Sequence, residues 1–365
     1  MHVGVAKTGT TYLQRILHAH RDQLKAAGLL YPGKRAGDHY VASVDLRRLE
    51  AEKFEHLKSD GSWDRLAADV RAFEGNAIVS HETFARCSTA EVRRVIESCG
   101  NADVKVVLTV RDLGRQIPAV WQETLKNRAT SGYGEFLDDV FVNVDSGAHK
   151  VFWKPQDVSK VVKRWGRQVG MDNVTIVTVP PSGAPRDELW KRFAAAIELP
   201  DVPVSLPEAA ANTSLGPAEA ELLRHVNIAL PTDYSWARYL RLVKRQFAEQ
   251  RLASRSTTRI VVPERWYDAV QARNRMTTRY LQEAGCRVIG DLSDLSPQPS
   301  SQAGPGPDDL SREELLTVAG EVVRDLVLTP LSRRPTVVDD DPPTGGDRLR
   351  ASAAAVRRRL WRGRD

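Results

Sequence analysis

Cysteine is scarce in this chain. There are three, Cys87, Cys99 and Cys286, far apart and without CxxC or His-rich spacing. Neither a disulfide framework nor a zinc site is indicated, and buried or half-buried free thiols are expected. No stretch approaches ~18 consecutive apolar residues, so no membrane-spanning helix is expected. The opening Met1-His2-Val3-Gly4-Val5 turns polar at Lys7, unlike a secretory leader, and a cytoplasmic location is expected. Aromatic residues make up only 7%, yet 41% hydrophobic content over 365 residues is enough for a core of ordinary density.

The formal net charge of +6 suits either a nucleic acid or an anionic nucleotide, and part of it is local: seven arginines lie between Arg348 and Arg364. That tail reads as a frayed solvated segment or as a basic helix touching an anionic membrane surface. Pro, Ser and Gly dominate 296–310, which reads as a linker. Residues 311–365 then read as one helical segment at about 311–328, a second linker and the tail, partly disordered.

Residues 1–295 read as one α/β domain. Buried strands are expected at 2–6, 77–80, 104–110 and 173–179, with a short return at 287–290. Helical stripes lie between them: Leu13, Ile16, Leu17 and Leu24 up to Gly28; Trp63, Leu66, Val70 and Phe73; and Val92, Val95 and Ile96 opened by Ser88-Thr89. Alternation of this kind predicts a three-layer parallel sheet with helices on both faces, followed by helical C-terminal additions from about 185.

The first strand runs into Gly4-Val5-Ala6-Lys7-Thr8-Gly9, then Thr10-Thr11 and a helix. The GxxxxG spacing is that of a P-loop, but Thr10 stands where an NTPase has its lysine, and no apolar strand ending in a metal-binding Asp is apparent. Glycines, helix-start amides and threonine hydroxyls still make a phosphate cradle. Lys7 is placed at the rim, where an ammonium stabilises charge developing on a leaving oxygen. A second cation follows a strand: 104–110 ends at Arg111, with Asp112-Leu113-Gly114-Arg115 and a helix after it. A forked guanidinium there suits a phosphate.

The run Lys7-Thr8-Gly9-Thr10-Thr11-Tyr12-Leu13-Gln14 after a strand resembles the 5′-phosphosulfate loop of the sulfotransferases that use 3′-phosphoadenosine 5′-phosphosulfate (PAPS), especially their bacterial members. The strand ending in Arg111-Asp112 resembles that family's 3′-phosphate site. The resemblance implies PAPS as co-substrate, with Lys7, Thr8, Gly9, Thr10, Thr11, Tyr12, Arg111 and Arg115 around it, and no metal. Tyr12 is the counterpart of the aromatic near the adenine; unaided, it reads equally as a core residue. One departure stands out: the family often has a Ser eight residues after the Arg, whereas this chain has Ala119. Either Gln116, Arg115 or Gln122 substitutes as donor, or the 3′-phosphate is held less tightly.

Sulfuryl transfer to a hydroxyl or amine needs a base. Strand 77–80 leads into His81-Glu82, at the strand end where open parallel sheets bind ligands. Glu82 is the first candidate, His81 the second, and His39 a more distant third; each also has a structural reading, as a cap, an ion pair or a buried histidine. The expected function is a sulfotransferase acting on a carbohydrate, lipid or small metabolite, with no nucleic acid as partner. Two alternatives stand beside it: a Mg-ATP-dependent kinase or small NTPase, and a non-catalytic PAP-binding or membrane-recruited protein.

Overall fold

A computed structural model describes residues 1–49, 57, 59–199, 202–207, 214–255, 258–296 and 305–329. The basic tail and most of the 296–310 linker lie outside the described residues. The chain is α/β. Strands form two small parallel sheets: β1 (Leu29–Leu30) with β2 (Asn76–Ala77), and β3 (Val106–Val110), β4 (Val174–Thr178) and β5 (Arg287–Ile289), rich in β-branched residues, in that order. β3 and β4 are buried along their whole length, which is why they read as continuous apolar or β-branched runs.

Residues 1–5 lie between the two sheets. His2 N–H donates to Val79 O at 2.8 Å and His81 N–H to His2 O at 3.1 Å. On the other side, Val3 and Val5 N–H donate to Val107 O and Thr109 O, both at 3.0 Å. The expected strand 2–6 is thus only partly regular. Gly4, at φ 109°, turns the backbone out of the extended path toward the loop. The strand expected at 77–80 is likewise short, with Ser80 joined by an isolated bridge to His2.

Side-chain alternation divides the strands between two cores. Val106, Leu108, Val110 and Ile176 pack with Trp63 of helix Ser62–Arg71, Val95 of helix Thr89–Ser98 and Trp165 of helix Val158–Val169. Val107 and Val177 pack with Leu13 and Ile16 of helix Thr10–Ala19 and with Phe193 of helix Glu188–Ala196. A third core is mostly helical and joins Leu113–Lys126, Tyr133–Phe141 and Pro217–Ala229 to the segment after Trp236, with Leu215 and Ile260 added from irregular chain. Gly9 stands at the N-cap of helix Thr10–Ala19. One local expectation is corrected: the stripe expected to run to Gly28 breaks at His20 before a second helix, Arg21–Ala26. Among the described residues, no helix is long and apolar enough to cross a membrane.

Candidate functional site

The loop after residue 5 doubles back through two left-handed positions, Lys7 at φ 67° and Gly9 at φ 85°. Glycine is favoured at 9 by the left-handed backbone, and a Cβ there would also stand 2.4 Å from Leu189 Cδ2. It is favoured at 4 as well, at φ 109°, where a Cβ would crowd Glu82 Cα at 3.0 Å. This close approach brings the loop against the His81-Glu82 corner. No side chain caps the first turn of helix Thr10–Ala19, so its amide groups have no side-chain acceptor at the cap.

A buried polar chain lies beneath the loop. The Ser80 hydroxyl meets His2 Nδ1 at 2.7 Å, His2 Nε2 meets Thr109 Oγ1 at 3.3 Å, and Thr109 Oγ1 meets Thr8 Oγ1 at 2.5 Å. The Thr8 hydroxyl also reaches Val5 O at 2.5 Å. Burial pushes the His2 imidazole down to about 3, so it is neutral at ordinary pH. Thr8 is therefore placed inside the loop, with its hydroxyl turned to the sheet.

Lys7 and Arg111 converge. Arg111, at the end of β3, donates from Nη1 to Lys7 O at 3.2 Å. The Lys7 ammonium donates to Glu123 Oε2 at 2.7 Å, and Lys244 takes the other oxygen of that carboxylate at 2.8 Å. Burial lowers the Arg111 guanidinium to about 10, helped by the nearby charges of Arg115 and Arg259. Arg115 is held by the Asp112 carboxylate through Nε and by Pro180 O through Nη1 at 3.0 Å. Gln116 donates to Ala6 O at 2.8 Å and to Gln156 Oε1 at 2.6 Å, while Gln122 accepts from Leu215 N–H at 2.8 Å. All three candidate substitutes for the serine absent at Ala119 thus have protein partners.

Thr10 is buried and hydrogen-bonds the Glu82 carboxylate; Thr11 is exposed. Tyr12 packs at the edge of the second core and its hydroxyl donates to Arg186 O at 3.1 Å, an anchor for the loop after β4. Burial raises the Glu82 carboxyl, but His81, a backbone N–H, Thr10 and Lys7 together hold it below the ordinary value. It is a carboxylate at neutral pH. His81 Nδ1 accepts from Thr83 N–H at 3.2 Å, and its Nε2 lies 4.0 Å from Glu82 Oε2. Burial lowers this imidazole too, against the pull of Glu82. Nδ1 also lies 2.7 Å from Thr83 Oγ1, whose own hydroxyl donates to Ser43 Oγ at 2.6 Å.

His39 has no free nitrogen. Nε2 donates to Pro32 O at 2.8 Å, and Nδ1 accepts from Ser80 N–H at 2.9 Å. It is a structural histidine, pushed down to about 4 by burial. Sequence reasoning missed Glu123 and Lys244, because nothing in local spacing links positions 7, 123 and 244. Among the described residues, no cluster of three or more His, Cys, Asp or Glu could hold a metal ion. No protein-family model, no curated protein and no solved structure matches the chain.

Proposed function

We propose that the chain is a PAPS-dependent sulfotransferase whose parallel strands form one layer between helices, with residues 4–11 as a P-loop-like cradle. The observation that carries this reading is the contact between Arg111 and the backbone of Lys7. Two motifs far apart in sequence, each selected for a phosphate, adjoin each other. PAPS supplies the sulfuryl group. The first-turn amides and the Thr11 hydroxyl bind the 5′-phosphosulfate, and Arg111 faces the 3′-phosphate. Glu82, ionised and adjacent to the loop, accepts the proton of the acceptor hydroxyl or amine as its heteroatom bonds to sulfur and the bond from sulfur to the phosphate oxygen breaks. Lys7, on leaving Glu123, stabilises the charge on that phosphate oxygen, and Glu123 retains Lys244.

Titration of the full-length protein with PAP and with ATP/Mg²⁺ tests the reading, on the wild type, Lys7→Ala and Arg111→Ala. PAP binding is expected, and losing the Arg111 contact should cost about 2–5 kcal/mol. Absence of PAP binding, or equal binding after Arg111→Ala, refutes the assignment. Glu82→Gln is expected to spare PAP binding and lower turnover.

One observation favours a second reading, a PAP-binding protein without turnover: the Lys7 ammonium is already held by Glu123 at 2.7 Å. PAP binding with no sulfated product across a broad acceptor panel selects that alternative. Mg²⁺-dependent ATP turnover selects the kinase or NTPase.

A further inference from the structure

Beside the end of β3, a cavity of about 360 Å³ is lined by residues of helices Leu113–Lys126, Gly147–Gln156 and Tyr267–Glu283. Ligand sites commonly occupy ~300–1,000 Å³, so it is large enough for a small organic molecule. Two residues on its wall each carry a buried donor without a hydrogen-bond partner: Nε of Arg111 and Nδ2 of Asn274. The orientation of Asn274 is fixed, because Leu113 N–H donates to its Oδ1 at 3.2 Å and so requires the oxygen there. Its amino group is left unmet in a residue only 5% exposed.

An unmet buried donor is costly, more so when charged. Two on one wall match a ligand group that only accepts hydrogen bonds and carries negative charge. The charges lining the cavity agree. Asp157 is the acidic residue there, and its carboxylate already faces Lys160 Nζ at 3.3 Å. Arg111 remains, joined by Arg273, whose guanidinium lies 4.7 Å over the Trp153 ring. Trp153 and Tyr280 supply flat apolar surface for the rest of a ligand.

We propose that this cavity seats a phosphate-class anion of a small ligand, with Arg111 and Asn274 as its donors and Arg273 as a supporting cation. The anion chemistry rests on the cavity alone. That its carrier is the 3′-phosphate of the nucleotide rests on the sulfotransferase reading, in which Asn274 then stands in for the serine absent at Ala119.

Calorimetric titration of the full-length protein with PAP, AMP and inorganic phosphate tests this, on the wild type, Asn274→Leu and Asn274→Asp. The second variant keeps the acceptor for Leu113 N–H and puts a carboxylate on the wall that carries Arg111. Its unfolding temperature should match or exceed the wild type's, which separates lost binding from misfolding. The expected result is that both substitutions weaken PAP at least tenfold and leave AMP within twofold. Undiminished PAP binding in both variants overturns the cavity assignment and leaves the nucleotide reading standing. If PAP does not bind the wild type, the nucleotide reading fails. Saturable phosphate binding that Asn274→Asp abolishes then sustains the cavity, and its absence overturns it.

Discussion

Lys7 and Glu123 form an ion pair at 2.7 Å between the loop and the helix that follows β3, and Lys244 closes on the same carboxylate at 2.8 Å. One carboxylate thus balances two ammonium groups beside the candidate phosphate cradle. A ligand phosphate would compete with Glu123 for Lys7.

That competition has a pH signature. Burial raises the Glu123 carboxyl, but Lys7 and Lys244 outweigh it and hold it far below the ordinary 4.5. A carboxyl with a depressed folded-state pKa contributes stability above its unfolded value, and that stability is lost as pH falls through the folded one. Denaturant midpoints of the wild type should therefore drop more steeply below pH 4.5 than those of Glu123→Gln. Equal slopes would show that the pair adds nothing to stability. The same variant frees Lys7 and should tighten PAP binding severalfold.

The buried histidines act in a higher window. Burial takes His39 from 6.5 to about 4 and His2 to about 3. The unfolded chain gains these protons first, so stability declines as pH falls from 6.5 and levels only below the folded values. For His39 alone the loss is of order 3 kcal/mol across that window, since each pKa unit is about 1.4 kcal/mol. His39→Gln should be less stable at pH 7 but flatter between pH 6.5 and 4, as read by urea midpoints. An unchanged slope would mean that His39 is not the group that titrates.

Two glycines of similar φ separate strain from crowding. Gly9 (φ 85°) has Leu189 Cδ2 at 2.4 Å from its virtual Cβ, whereas Gly28 (φ 86°) has nothing within 4 Å. Gly28→Ala should cost about 1–2 kcal/mol, the left-handed penalty alone. Gly9→Ala should cost more and also weaken ligand binding, because Leu189 or the loop must move. Equal losses in thermal unfolding would remove the crowding argument.

β3 and β4 could be read from sequence because they are buried on both faces, so apolarity alone marks them. The Ser88 start was legible because its capping box is local: Ser88 Oγ accepts from Glu91 N–H, and Glu91 Oε2 from Ser88 N–H. β1 was not seen, since two leucines at the end of a helical stripe carry no strand period, and pairing with Asn76–Ala77 decides the matter. Helices Asp38–Leu46, Gly147–Gln156 and Val158–Val169 also went unread. In the site, Arg111 and the loop were visible as motifs. Glu123 and Asn274 were not, because their roles arise from packing between distant helices, which no spacing rule encodes.

The chain under the loop gives the last test. Thr109 Oγ1 lies 2.5 Å from Thr8 Oγ1 and 3.3 Å from both His2 Nε2 and Gly4 O, so a single hydroxyl links β3, the first residues and the loop. Thr109→Val keeps the branched shape but leaves the buried His2 Nε2 unmet, at a cost of about 1–3 kcal/mol, while Thr8 keeps Val5 O and Gly4 O keeps the Thr109 N–H. Thr8→Val removes the other half of the closest contact. If the hydroxyls act as one network, the double substitution should cost less than the sum of the single ones by about 0.5–3 kcal/mol in urea unfolding, because the second change removes a group whose partner is already gone. Loop order should fall with either single change, read as faster amide exchange over residues 7–11. Strict additivity would reduce the chain to independent contacts, and the loop would then owe its shape to its own backbone rather than to this network.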